Sequence, residues 1–330
     1  MAKISAAMAC SHSPYLYTQP EDWNEIRQRK PVRGDVPWDS PEGNKTKFDR
    51  CMKAFAALKE RIEKIKPDVL LIVSNDQLEN FDFRNYPAMA ICLQEEMEGQ
   101  ATTSGYLQRI MGKDFAPLKN WARVKGHPEL GKELLIGLMK KGFDPAFMLE
   151  LPNKERGLAH GFLRPAYYLT PQYDIPILPF YLNCYYAPQP SAKRCYELGK
   201  AIREVLEESS LNLKVVVLGS GGLWHTPEIR DAYLDEDFDK AFLAHLSNGN
   251  ARKLAEYFDS IPWPYSSAPP EIARKLINGI GISVGIGSGI GESRNWIVAA
   301  AVADGTKAEV LDYVPIYASP TGAAFAHWEL

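Results

Sequence analysis

Short, wholly apolar runs bounded by turn signals are the feature that most constrains this chain. Val69-Leu70-Leu71-Ile72-Val73 and Val215-Val216-Val217-Leu218 show no polar alternation at all. A strand apolar on both sides must be covered on both faces, which calls for helices on each side of a sheet. Such runs predict strands over 3–8, 68–74, 88–93, 147–151, 176–182, 214–218, 296–303 and 309–314. Between them, helical periodicity predicts helices over 47–66, 128–141, 191–209, 236–246, 251–258 and 271–277. The alternation implies one α/β domain over residues 1–330, with a central mostly parallel or mixed sheet flanked by helices. Pro- and Gly-rich stretches at 14–44 and 260–270 read as long surface loops rather than domain linkers. The aromatic residues of the first, Tyr15, Tyr17, Trp23 and Trp38, suit a lid and core packing equally well.

Composition narrows the function class. Of 330 residues, 38 are Lys or Arg and 41 are Asp or Glu, a formal net charge of −3. That balance lacks the basic excess of a nucleic-acid binder. The charge run 59–66 alternates in sign, as on the solvated face of a helix. The five cysteines, at 10, 51, 92, 184 and 195, form no CxxC pair, which argues against a disulfide framework or a Cys-based zinc site. No apolar run reaches 18 residues, and the apolar stretch 4–10 is too short and lacks the basic flank of a secretion signal. The expected location is the cytoplasm, with no membrane partner.

Histidine is scarce, at six residues, and two of them stand where an α/β sheet presents its ligands. In such folds, ligands sit beyond the carboxyl ends of the strands. His12 follows the first strand in Ser11-His12-Ser13-Pro14, as a loop cap or as a metal ligand. Asn75-Asp76-Gln77 follows the second apolar run. His225 follows Gly219-Ser220-Gly221-Gly222, where glycines permit close backbone approach to a ligand, and suits general acid/base chemistry. His160 lies beside glycine in a loop. His127 precedes the 128–141 helix, as a cap or facing an anionic group. His245 and His327 read as structural or surface residues. The glycine-rich run 279–291 fits neither GxGxxG nor a P-loop, so it implies no nucleotide site, and it presents one acid, Glu292, as a solvated cap or a buried ligand. No Gly-x-Ser-x-Gly elbow and no His-Glu-x-x-His motif is present.

These pieces in this order resemble the class III extradiol ring-cleaving dioxygenases, the family of the protocatechuate 4,5-dioxygenase catalytic subunit. The likeness runs from the first strand to about Gly305. It rests on Ser-His-Ser-Pro at 11–14, Asn75-Asp76 with Phe81-Asp82, and Lys-Gly-His-Pro at 125–128. Further along come His160-Gly161, Ile177-Leu178-Pro179, Lys193-Arg194-Cys195, Leu198-Gly199, the segment Gly219 to His225, and Glu292. The resemblance implies that His12 and Glu292 are two ligands of a 2-His-1-carboxylate iron(II) site, that His225 is the acid/base and that His160 lines the pocket. It implies that His127 faces a substrate carboxylate. Gln77 stands where the family has its second histidine ligand, and Ala159 where members commonly carry an acid.

The resemblance therefore implies an Fe(II)-dependent oxidoreductase that uses O₂ to open a catechol-type aromatic acid such as protocatechuate or gallate. The expected assembly is a homo-oligomer or a complex with a small second subunit. Two alternatives stay open because of Gln77. One is a non-oxidative lyase or hydrolase acting on a phenolic acid through His225 and His160, with the metal altered or lost. The other is a non-catalytic partner subunit.

Overall fold

The computed structural model describes residues 2–101, 121–186, 188–226, 231–261, 266–267, 285–286 and 289–330. Its strands are Lys3–Cys10 (β1), Val69–Ser74 (β2), Met89–Cys92 (β3), Glu96–Gln100 (β4), Trp121–Lys125 (β5), Ala146–Met148 (β6), Ile177–Leu182 (β7), Lys214–Ser220 (β8), Ser266–Ser267 (β9), Gly285–Ile286 (β10), Glu309–Ile316 (β11) and Thr321–Glu329 (β12). The helices are Trp23–Gln28 (α1), Pro41–Ile65 (α2), Pro128–Lys140 (α3), His160–Leu169 (α4), Ala192–Glu208 (α5), Glu236–Ser247 (α6), Ala251–Ser260 (α7) and Ser293–Val302 (α8).

The apolar runs form the middle of an eight-stranded sheet ordered β11-β12-β1-β8-β2-β7-β3-β6. The four strands β1, β8, β2 and β7 are parallel, while β12 pairs antiparallel with β1 and β3 antiparallel with β7. The result is a single α/β domain with a mixed sheet. Successive residues of one strand enter opposite cores, as pleating requires. Val215 and Val217 pack in one core with α5, α7 and α8, while Val216 and Leu218 pack in the other with α2 and α4. Helices therefore cover both faces.

The apolar run at 296–303 is a correction: it is helix, not strand. All ten residues of α8 are buried, so its apolar character has no periodicity to separate the two readings, and three consecutive alanines favour helix. The second helix begins at Pro41 rather than 47, because Ser40 caps it by accepting Gly43 N–H at 3.1 Å, with proline in the first turn. Residues 14–44 are packed structure more than loop. Tyr15, Tyr17 and Trp23 are buried, and only Trp38, 57% exposed, stands in solvent. The helix expected at 271–277 and most of the 260–270 stretch lie outside the described residues. All five cysteines are free and buried. Among the described residues, no helix is long and apolar enough to cross a membrane.

Candidate active site

Strand register brings the first three site segments together. Cys10 lies opposite Ser220, and Val73 opposite Gly219, so β1, β8 and β2 end in line. Gly221 N–H donates to Cys10 C=O at 3.0 Å and keeps the β1 and β8 exits side by side. The fourth segment arrives with α8, which lies close against β8. A side chain at Gly219 would collide with the Asn295 carbonyl. Glu292, at the head of α8, thereby reaches the rim, 1% exposed. Opposite it, the missing side chain of Gly289 leaves the space that the His225 ring fills.

Three histidines meet here, and the partners of each define its tautomer. The Ser220 hydroxyl donates its one proton to Gly161 C=O at 2.6 Å, so it accepts from His12 Nδ1 at 2.8 Å. His225 Nδ1 donates to Leu223 C=O at 2.9 Å, and His160 Nδ1 lies 2.8 Å from a Glu79 carboxylate oxygen. Each ring is thus tied to the scaffold through Nδ1, which leaves Nε2 to face the site. Ring ties of this kind orient metal ligands and general bases. The His12 and His160 rings meet edge to face, with centroids 5.0 Å apart.

Glu292 is the centre of the group. Its Oε1 accepts from Asn75 Nδ2 at 3.1 Å and Gln77 Nε2 at 3.0 Å, and its Oε2 accepts from Gly222 N–H at 2.9 Å. Burial alone would raise its pKa, yet His12, His225 and these donors hold it well below the usual carboxylate range. His225 is pushed below its ordinary pKa, mainly by burial, and the neighbouring Glu292 offsets only part of that. The site thus pairs an ionised carboxylate with a neutral base, His225 Nε2, 3.6 Å from Glu292 Oε2.

His12 Nε2 is buried without a hydrogen-bond partner and faces Glu292 Oε2 at 3.3 Å. A buried ring nitrogen without a hydrogen bond, set against an ionised oxygen, is an arrangement that a cation between them satisfies. Those two donors therefore fit a divalent metal. Gln77 lies beside this pair, with its amide donating to Glu292 Oε1 at 3.0 Å. Among the described residues, no group of three His, Cys, Asp or Glu side chains has metal-holding geometry. The side chains gathered there are one imidazole, one carboxylate and one amide.

Glu79 is a residue that sequence reasoning missed. Its carboxylate accepts both His160 N–H, at 3.1 Å, and His160 Nδ1. The acid absent at Ala159 is thus supplied from the turn after β2. That turn is built on Asp76, whose carboxylate accepts the backbone N–H groups of Glu79, Asn80 and Phe81. Leu78, at φ 62°, adopts the left-handed conformation that turns Gln77 toward Glu292 and Glu79 toward His160. Burial would raise the Glu79 pKa, but His160 beside it brings it down to about 2. His160 itself is lowered, with burial outweighing Glu79.

His127 is not brought into this cluster. It caps α3, with Nδ1 accepting Leu130 N–H at 3.2 Å. Its neighbour Gly126 hydrogen-bonds Glu95, beyond the carboxyl end of β3. Because β3 runs antiparallel to β7, that end lies toward the opposite edge of the sheet. The segment leading to His160 attaches three residues further along, at Glu98, about 10 Å of strand away.

The family description "Catalytic LigB subunit of aromatic ring-opening dioxygenase" matches residues 7–272. The chain belongs to the LigB family. The match includes His12, Gln77, His160 and His225, and Glu292 lies beyond it. Gallate dioxygenase of Pseudomonas putida is 33% identical over 142 residues, 41% of this chain and 40% of that protein. A 2,3-dihydroxyphenylpropionate/2,3-dihydroxicinnamic acid 1,2-dioxygenase of Photorhabdus laumondii is 27% identical over 182 residues, 54% of this chain and 49% of that protein. The enzyme of the same name from Escherichia coli strain 55989 is 28% identical over 183 residues, 55% of this chain and 51% of that protein. The matched region spans about half or less of these relatives' length.

Proposed function

We propose that this protein is an extradiol dioxygenase that opens the ring of a catechol-type aromatic acid with O₂ and non-haem iron(II). The observation that carries the reading is the facing pair His12 Nε2 and Glu292 Oε2, a buried ring nitrogen without a hydrogen bond set against an ionised carboxylate. His12 and Glu292 would hold the metal, with Gln77 as a weak third donor. Iron there supplies coordination of the substrate hydroxyls and redox exchange with O₂. His225 is placed to take a hydroxyl proton on Nε2 and return it later, since its Nδ1 keeps its own proton, donated to Leu223 C=O. His160, held by Glu79, lines the same pocket and offers a second Nε2. His12, Asn75 and Glu292 are buried, while Gln77 and His225 are partly exposed, so the floor of the site would be shielded from water. We place the enzyme in the cytoplasm, as a homo-oligomer or with a small second subunit, and leave His127 outside its pocket.

A specific observation favours a second reading. Glu292 already accepts three N–H donors, one of them from Gln77, as a carboxylate would in a metal-free site. The pocket would then carry out non-oxidative acid/base chemistry on a phenolic acid through His225 and His160. One experiment separates the two. The protein is reconstituted with Fe(II) under anaerobic conditions, then assayed for O₂ uptake with protocatechuate and gallate. The dioxygenase reading expects one O₂ per substrate and a yellow ring-opened product. Turnover without O₂ in protein that binds no iron favours the second reading and sinks the first.

A further inference from the structure

We propose that Asn295 is a positioning residue of this site, which fixes the Asn75 amide and through it the Glu292 carboxylate that faces His12. This deepens the reading above and rests on it only for Glu292 as a metal ligand.

Asn295 follows Glu292 by three residues, so the two share one face of the first turn of α8. Its side chain is buried among three strand exits. Its Nδ2 donates to Ser220 C=O, the end of β8, at 2.8 Å, and to Asn75 Oδ1, just past β2, at 3.4 Å. Its Oδ1 lies 3.4 Å from Cys184 Sγ, two residues past β7. The backbone around it is held as well. Trp296 Nε1 donates to Gly221 C=O at 3.2 Å, and a side chain at Gly291 would collide with Cys184 C=O.

These partners leave the Asn295 amide one orientation. A backbone carbonyl only accepts, so the NH₂ group faces Ser220. The amide oxygen then faces the Cys184 thiol, which burial keeps protonated. The constraint passes on to Asn75. Its oxygen takes the second Asn295 proton, so its own NH₂ group turns to Glu292 Oε1, at 3.1 Å. Reversed, Asn75 would set its oxygen against an ionised carboxylate and leave that carboxylate short of a donor. Gln77 donates to the same oxygen, but it is partly exposed and its longer side chain has more rotamers to lose, whereas Asn75 is fully buried. With Oε1 tied by Asn75 and Oε2 receiving Gly222 N–H at 2.9 Å, the carboxylate is held with Oε2 facing His12 Nε2 at 3.3 Å. Contacts of this kind, one step out from the metal, orient its ligands.

The test follows Co(II) binding to the full-length protein by visible absorption, which needs neither O₂ nor substrate. Asn295→Asp keeps the shape but replaces the NH₂ donor with an oxygen, so Asn75 must turn its own NH₂ group away from Glu292. It should weaken Co(II) binding by at least about tenfold and shift the visible bands. Asn295→Ser, which is too short to reach Asn75 and adds no charge, should do the same and carries the test if Asn295→Asp does not fold. Asn75→Ala should weaken binding to a similar extent. Combined with either Asn295 variant, it should bind within about twofold of the weaker single variant, because the two residues act in series. Wild-type affinity and spectrum in the Asn295 variants overturn the proposal and leave the metal reading intact. Losses that add in the double variant also overturn it, since Asn295 would then act without Asn75. Wild-type protein that binds no Co(II) overturns both. If Co(II) binding depends on Asn295 and Asn75 in series while the O₂ assay fails, the positioning role stands and the oxygenase reading falls.

Discussion

Gln77 decides more about this site than any other single residue. Its amide donates to the carboxylate that would otherwise bind a metal freely, and it offers only a neutral oxygen in return. Gln77→His is expected to raise Fe(II) affinity by about tenfold or more, on the scale that changes around metal ligands produce. An anaerobic Fe(II) titration that returns the wild-type affinity would place residue 77 away from the metal. Glu79 acts one step further out. Removing its charge loosens His160 without touching the His12–Glu292 pair. Glu79→Gln should lower kcat by roughly 10- to 100-fold with KM and iron content nearly unchanged. A loss of iron, or a rise in KM alone, would show that Glu79 serves folding or binding instead. Nothing in the sequence pointed to Glu79, because its partner lies 81 positions away and only the turn at Leu78 aims one at the other. His12, His225 and Glu292 were legible because each follows a recognisable apolar run or glycine-rich exit.

At the scale of elements, the His225 loop is held by a latch from α6. Asp239 is buried and accepts Trp224 N–H at 2.8 Å and the Tyr313 hydroxyl at 2.9 Å. Burial pushes its pKa up to about 8, with the nearby Asp235 and Glu236 adding to the rise. In the unfolded chain the same acid ionises near its ordinary value of about 3.9. Between those values the folded state binds the extra proton. Asp239 therefore contributes stability that is complete below about pH 4 and lost as pH rises through about 8. The slope from this one group is up to ~1.4 kcal/mol per pH unit. Asp239→Asn mimics the protonated form and keeps both hydrogen-bonding positions. Urea melts from pH 4 to 9 should show the wild-type stability declining relative to the variant. Parallel pH profiles would mean that Asp239 is not buried as a neutral acid. The same scale shows why α8 was misread. An all-buried helix of ten residues lacks the amphipathic signature that distinguishes it from a core strand. Strand β12 was missed for a related reason, since Gly322, Ala323, Ala324 and Ala326 lack the β-branched bulk that marks strands.

Across the whole molecule, the parallel centre of the sheet makes the site possible. Three strands end in register, and one helix buried on all sides delivers the carboxylate to that edge. Layer order and the strand ends beside which His12 and His225 stand were legible because covering both faces forces the strand residues to be apolar, and that pattern survives in sequence. The side walls were not, because they come from the 14–44 segment and from hydrogen bonds between residues far apart in the chain. The central claim is that this edge, with His12, Glu292 and Gln77 on a metal and His225 as base, performs O₂-dependent ring opening. Turnover of protocatechuate or gallate by the iron-loaded protein under ¹⁸O₂, read by mass spectrometry of the product, tests it most directly. Ring opening by O₂ places both labelled oxygen atoms in the product, and a product formed with neither atom incorporated would contradict it.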